Sequence, residues 1–254
     1  MPELIFHPNR CILCDDCLGV CPNEAVNRCE DMIHIDRSHC KVSGNCAVAC
    51  PAEALEVVGR RMSVEQVLAE IERDRVFYDQ SDGGVTFTGG EPLAQPRFLL
   101  ALLSACHVQG LHTVVDTSGF TPWEVLDKIR PFVDLFLYDL KLMDDLRHQQ
   151  WTDRSNKIIL SNLRRLSELG QNIMIRIPII PGINDDEDNL RQTGEFLASL
   201  PTRPPVELLP YHDIATAKYA DLGLDYGLNG IRPPTQEQML AGITTLKKYG
   251  LQVK

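Results

Sequence analysis

Eight of the nine cysteines lie between Cys11 and Cys50, so any metal chemistry starts there. Cys11-Ile-Leu-Cys14-Asp-Asp-Cys17-Leu-Gly-Val-Cys21-Pro22 has the spacing C-x2-C-x2-C-x3-C-P. Three thiolates from one short loop can take three corners of an iron–sulfur cube, and the proline turns the chain away. Soft thiolates also suit zinc, but zinc ribbons usually pair two C-x2-C knuckles, and this run does not. The run recurs as Cys40-Lys-Val-Ser43-Gly-Asn-Cys46-Ala-Val-Ala-Cys50-Pro51, with serine at the second cysteine position. Where two such runs share a module, the fourth cysteine of each serves the other cluster. That rule assigns Cys11, Cys14, Cys17 and Cys50 to one complete [4Fe–4S] site. It leaves Cys40, Cys46 and Cys21 at a second site, impaired by Ser43. A hydroxyl is a harder and much less acidic donor than a thiol. Ligation by Ser43, a contribution from Cys29, a three-iron cluster and no second cluster are all open outcomes.

The composition excludes several other classes. The 254 residues carry 35 acidic and 25 basic side chains, a formal net charge of -10. A nonspecific binder of nucleic-acid backbones needs a basic face, so no nucleic-acid partner is expected. No apolar run reaches the roughly 18 residues of a membrane span. Met1-Pro2-Glu3-Leu4-Ile5-Phe6 has no basic segment leading into an apolar stretch, as a secretory signal would. An odd cysteine count without such a signal argues against a disulfide scaffold and for a reduced, cytoplasmic setting.

The elements that must position other chemistry follow a composition shift at Gly59-Arg60-Arg61, which divides a Cys-rich module (1–60) from an α/β region (61–254). Ser63 with Gln66 makes a capping box ahead of residues at helical spacing. Strands are predicted around 84–87, 113–117, 134–141, 172–178 and 206–212. Helices are predicted over 97–107, after Pro122, over 157–169, 188–200 and 236–248. Alternating elements with near-continuous apolar strands imply a parallel sheet covered by helices. Polar residues stand at all five strand ends: Glu91; Asp116; Asp139 and Lys141; Arg176; His212. In barrel enzymes that end carries the active site.

In order, Thr88-Gly89-Gly90-Glu91-Pro92, Asp116-Thr117-Ser118-Gly119, Tyr138-Asp139-Leu140-Lys141, Arg176-Ile-Pro-Ile-Ile-Pro-Gly182 and Leu209-Pro-Tyr-His212 with Lys218-Tyr219 follow the paired cysteine runs. This series resembles the activating enzymes of glycyl-radical enzymes, the pyruvate formate-lyase activating enzyme group of the radical S-adenosylmethionine superfamily. It is most similar to the branch with a ferredoxin-type insert, and the resemblance covers essentially the whole chain. It implies a partial parallel (β/α) barrel of radical SAM type, first strand missing, with a small two-helix, ferredoxin-like iron–sulfur insert. By resemblance, the loop Gly89, Gly90 and Glu91 receives the ammonium of S-adenosylmethionine. Lys141, beside Leu140, pairs with its carboxylate. Asp139 orients that lysine, or a monovalent cation with Asp116 and Thr117. Arg176 steadies developing charge, and His212 contacts the ribose or adenine.

One marker is absent. The superfamily's C-x3-C-x2-C, which holds the catalytic [4Fe–4S] cluster, occurs nowhere in the chain: Glu24 and Glu53 stand where the third cysteine would follow Cys17/Cys21 and Cys46/Cys50. In the family this segment precedes the insert. The expectation is therefore a chain that starts inside a longer protein and, as it stands, is crippled for radical chemistry. The resemblance implies reductive cleavage of S-adenosylmethionine and removal of a hydrogen atom from a glycine of a partner lyase or dehydratase. Flavodoxin or ferredoxin would supply the electrons. The alternative readings are an iron–sulfur electron-transfer protein and a partner-binding protein without radical chemistry.

Overall fold

The computed structural model describes residues 2–254, apart from the side chains of Ala215, Ala217 and Lys218. It divides into two compact units, Met1–Met62 with His212–Gly230, and Ser63–Tyr211 with Ile231–Lys254. In chain order the first elements are β1 (Glu3–Phe6), β2 (Val26–Cys29), β3 (Met32–Ile35), α1 (Asn45–Ala49) and β4 (Leu55–Val58). Then come α2 (Val64–Arg73), α3 (Arg75–Ser81), β5 (Gly84–Phe87), α4 (Pro96–Val108), β6 (His112–Thr117), α5 (Trp123–Ile129) and β7 (Leu135–Asp139). The chain continues through α6 (Asp145–Thr152), α7 (Lys157–Glu168), β8 (Ile173–Ile179) and α8 (Glu187–Ala198). It ends with β9 (Val206–Pro210), α9 (Ala215–Asp221) and α10 (Gln236–Lys247).

The first unit is built on a repeat. Displaced by 29 residues, β1 falls on β3, β2 on β4, and Cys11, Cys17 and Cys21 fall on Cys40, Cys46 and Cys50. The strands pair antiparallel as β1 with β4 and β2 with β3, so each ribbon takes one strand from each half. Alternation turns Leu4, Phe6, Ile33 and Ile35 inward, where they pack with Val26, Leu55, Cys17 and Cys46. The expected pair of helices is only half present: α1 is helical, whereas 16–20 form turns. The same displacement puts Leu18 and Gly19 where α1 has Ala47 and Val48, and glycine is a poor helix former. Within this unit the Arg37 guanidinium donates to the carbonyls of Leu4 and Leu222, and His7 Nδ1 lies 3.0 Å from Asp221 Oδ1.

The second unit is a five-stranded parallel sheet in the order β5-β6-β7-β8-β9. It is open among the described residues, and β5 pairs on one side only, with β6. The α2 capping box forms as the sequence predicts, with Ser63 and Gln66 exchanging both hydrogen bonds. Strand alternation then decides where charge can go. In β8, Ile173, Ile175, Ile177 and Ile179 are buried while Met174, Arg176 and Pro178 are half-buried on the other face. In β6 and β7, Val115, Phe136 and Tyr138 share the apolar face, and Asp116 and Asp139 the other. The apolar face carries the main core with residues of α4, α5, α7 and α8.

One glycine is required by this packing. Gly119 has φ +70°, and a Cβ there would collide with the Tyr138 hydroxyl, which donates to Ile159 O at 2.8 Å. Gly119→Ala should therefore lower unfolding stability by about 2 kcal/mol or more, from overpacking and backbone strain together. Gly170→Ala, with φ +69° and nothing within 4 Å, carries only the backbone strain, about 1 kcal/mol. Denaturant titration of both variants measures the difference, and equal losses would show that Tyr138 yields.

Candidate functional site

The loop between β5 and α4 brings Glu91 to the end of β6. Its carboxylate accepts four hydrogen bonds. Oε1 takes Thr117 Oγ1 at 2.7 Å and Leu93 N at 3.1 Å; Oε2 takes Ser118 Oγ at 2.6 Å and Ser118 N at 3.0 Å. A carboxylate has about four lone-pair positions, so this one is saturated by the protein. It is neither a solvent-facing turn residue nor a free acceptor. Gly89, at φ +119°, and Gly90 are exposed, and a Cβ on either would meet nothing within 4 Å. Their carbonyls therefore lie in a loop open to a ligand's close approach.

Across the polar face of the sheet, Arg176 joins two strands to its own. Its guanidinium donates to Asp116 Oδ1 and to Asp139 Oδ1, the latter at 3.0 Å from Nη2 and 3.3 Å from Nε. The three side chains are 20%, 18% and 24% exposed, so screening by water is only partial. Thr88 Oγ1 donates to the other oxygen of Asp116 at 3.0 Å. Burial raises the Asp139 pKa above the ordinary carboxylate value, against the lowering pull of Lys141 and Arg176. Leu140 N donates to Arg176 O, which extends the ladder past β7 and fixes where Lys141 begins.

Lys141 lines a cavity of about 250 Å³ together with Glu91, Ser118, Asp139, Leu140 and His148. Among the described residues no carboxylate lies within ion-pair distance of its ammonium. Thus Glu91, Asp139, Leu140 and Lys141 meet in one cavity, while Asp116, Thr117 and Arg176 support it from the sheet. His212 belongs to the other compact unit and is exposed. The Lys218 side chain lies outside the described residues. The sequence reading passed over Ser118 as a ligand of Glu91, Thr88 as a donor to Asp116, and Glu207, which stands in register beside Arg176. Polarity inside an apolar strand is the signal for Glu207; the two hydroxyls lie inside the ordered motifs, but the motifs do not show which carboxylate each one meets.

In the cysteine module the geometry sorts the thiols into two sets. Cys17 is raised to about 11 by burial and then by the charges of Cys50, Cys14 and Cys11 around it. These four also line one cavity. Cys46 is raised by burial, with Cys21 and Cys40 beside it. Cys50 Sγ and Cys21 Sγ accept matching backbone bonds, from Ala54 N at 3.2 Å and Ala25 N at 3.4 Å. Among the described residues no three His, Cys, Asp or Glu converge on a single ion. A cube of iron and sulfide needs wider spacing than one ion, and four thiols around one apolar cavity, Cys17 buried, Cys11 and Cys50 half-buried and Cys14 exposed, fit it. For the catalytic cluster there is no fit. The chain has no C-x3-C-x2-C, and of the two remaining thiols Cys29 is exposed while Cys106 is buried among Ile71 and Leu111.

The parallel sheet with a ligand loop at its strand ends agrees with comparison to known proteins. Residues 39–193 match the Radical SAM superfamily, and the chain belongs to that superfamily. It is 39% identical over 240 residues to the trans-4-hydroxy-L-proline dehydratase activating enzyme of Clostridioides difficile, covering 93% of this chain and 79% of that one. It is 38% identical over 258 residues to the choline trimethylamine-lyase activating enzyme of Oleidesulfovibrio alaskensis, covering 99% and 83%. A crystal structure of a domain of pyruvate-formate lyase-activating enzyme from Bacteroides vulgatus aligns with TM-score 0.59 and 41% identity, over 68% of this chain and 98% of that one. A radical SAM methyltransferase from Sphaerobacter thermophilus, at 17% identity and TM-score 0.58 over 85% and 61%, shares the fold. Within the superfamily this chain is a member of the glycyl-radical enzyme activating enzymes.

The Glu91 clamp is directly testable. Glu91→Gln replaces one acceptor oxygen by an NH2 that must face either Ser118 or the Thr117/Leu93 pair, both donors. The expected loss is about 1–3 kcal/mol of stability, with faster amide exchange at Ser118 and Gly119. Unchanged exchange at both amides would mean that the four bonds do not hold the loop.

Proposed function

We propose that this chain serves the activation of a glycyl-radical lyase or dehydratase, with S-adenosylmethionine bound at the strand ends of the parallel sheet. When bound and reduced, that molecule supplies a 5′-deoxyadenosyl radical able to take a hydrogen atom from a backbone glycine. The observation that carries this reading is the Lys141 ammonium, unpaired among the described residues, in a cavity that also reaches Glu91 and Asp139. An amino-acid end carries one ammonium and one carboxylate. The carboxylate goes to Lys141. With Glu91 saturated, the ammonium goes to the carbonyls of Gly89 and Gly90. Asp139 keeps Lys141 in place, Asp116 and Thr117 complete the polar floor, and Arg176 holds the two aspartates apart. His212 is assigned to the ribose or adenine by family position.

In the module, Cys11, Cys14, Cys17 and Cys50 hold one [4Fe–4S] cluster and the second site is impaired by Ser43. Electrons enter from flavodoxin or ferredoxin, and the setting is cytoplasmic. No described helix is long and apolar enough to cross a membrane. The catalytic cluster has no ligand set among these 254 residues, so no step is assigned to it. The second reading is an iron–sulfur electron-transfer or partner-binding protein.

Two outcomes separate these readings. The 254-residue chain alone should form 5′-deoxyadenosine at a negligible rate, even with dithionite, and an upstream segment carrying C-x3-C-x2-C should restore it. Robust formation without the segment, or none with it, contradicts the proposal. Lys141→Ala removes one charge-assisted bond worth about 1.5–3 kcal/mol, so affinity for S-adenosylmethionine should fall roughly ten-fold or more. Lys141→Arg should not restore it, because a planar fork does not occupy the place of a compact ammonium. Calorimetric titration under anaerobic conditions reads both, and unchanged affinity in Lys141→Ala removes this residue from the site.

A further inference from the structure

We propose that the second half of the cysteine module binds a [4Fe–4S] cluster in which the iron facing Ser43 has no thiolate, its place taken by water or a small anionic donor. This rests on the reading of the module as a cluster protein and differs from all four outcomes left open at Ser43 by the sequence.

The backbone presents residue 43 as it presents residue 14. Leu13 and Val42, one before each, have φ +55° and +54°; Asp15 and Gly44, one after each, have φ +64° and +82°. Left-handed φ at non-glycine residues is uncommon, and here it occurs at equivalent positions of both loops. The loop of the second half is therefore shaped for a cluster although one ligand has changed. The other three thiols are assembled: Cys46 is buried in the module's core, and Cys21 and Cys40 pack against that core. The N–H···S bond from Ala25 to Cys21 repeats the one from Ala54 to Cys50, so each half's exchanged cysteine is supported alike.

The fourth corner is where the halves part. A serine hydroxyl is harder than a thiol, much less acidic, and sits on a shorter bond to Cβ, so it reaches less far toward a soft iron. Cys29 does not replace it. That residue is exposed at the end of β2, in register with Met32. It is three strand positions past Val26, roughly 10 Å along the strand. Cys21 and Cys40 pack against the core that buries Cys46, and Cys29 is not among the residues that do. Ser43 itself is exposed, so solvent reaches this corner.

An iron without a protein thiolate is the one most easily lost. Oxidation by ferricyanide balances as [4Fe–4S]2+ going to [3Fe–4S]+ with release of Fe2+, one electron passing to the oxidant. The full 254-residue chain, reconstituted anaerobically with iron and sulfide, should hold about eight irons. Brief ferricyanide treatment should lower this to about seven and raise the electron paramagnetic resonance signal of a three-iron cluster toward about one spin per chain. Ser43→Cys should keep about eight irons and lose that signal at least about ten-fold. Cys14→Ser, which copies the change into the first half, should lose about two irons and double the signal. A wild-type content of about four irons overturns the inference while the first site stands. Equal signals in wild type and Ser43→Cys overturn it as well. No bound iron in either protein overturns both the inference and the cluster reading.

Discussion

The Arg176 guanidinium, shared by Asp116 and Asp139, is the constraint on which the second unit rests. A parallel sheet normally buries both faces under helices, and its strands are apolar throughout. Here three adjacent strands each place one charged residue on the same face, and removing charges from water costs several kcal/mol per ion unless they are paired. One fork-shaped cation meeting two carboxylates satisfies that condition, and the arrangement keeps a net negative charge. The face is therefore polar by construction, and it stays open for something that contains both charge signs. A lysine in place of Arg176 could not join two carboxylates with the same fixed geometry.

Around that floor, the remaining site residues divide between holding and offering. Glu91 holds: three of its four acceptor positions are filled from β6 and the loop after it, and the fourth by Leu93 N. Lys141 offers, since its charge is not neutralised by any neighbour at contact distance among the described residues. Asp139 stands between, tied to Arg176 and close enough to Lys141 to feel its charge. Loop rigidity and ligand charge are thus supplied by different side chains, and a substitution at one need not act through the other.

Much of this was legible in the sequence where a period or a spacing was involved. The helices at 96–108, 157–168, 187–198 and 236–247 announce themselves by apolar repeats and caps, and the five strands by short apolar runs ending in polar residues. Cysteine spacing, with the exchange rule for paired runs, groups Cys11, Cys14, Cys17 and Cys50, and these four line one cavity. Three helices escaped: Arg75–Ser81, Asp145–Thr152 and Ala215–Asp221. All are seven or eight residues long, and α6 has little apolar content, so tertiary contacts such as Arg147 to Ile183 O and Asp186 decide it rather than local preference. The strands β1 to β4 are four residues each and lie between cysteine turns, which masks their alternation. The saturation of Glu91 could not be read at all. It depends on Ser118 and Thr117 arriving from another strand, 26 and 27 residues along the chain.

The pairing of β1 with β4 and β2 with β3 has a further consequence. Each ribbon joins opposite halves of the repeat, and each set of thiols borrows one member, Cys50 or Cys21, from across the midline. Neither 29-residue half therefore closes on itself; the two are interlocked like links, by backbone in one place and by sulfur in another. A half-length ancestor could have reached this architecture only as a pair of identical chains, and a fused descendant is free to let one half drift as long as its strands still serve the other. On the proposed reading, Ser43 is a lapse in the second half's ligand set, beside a strand and a cysteine on which the first half still depends.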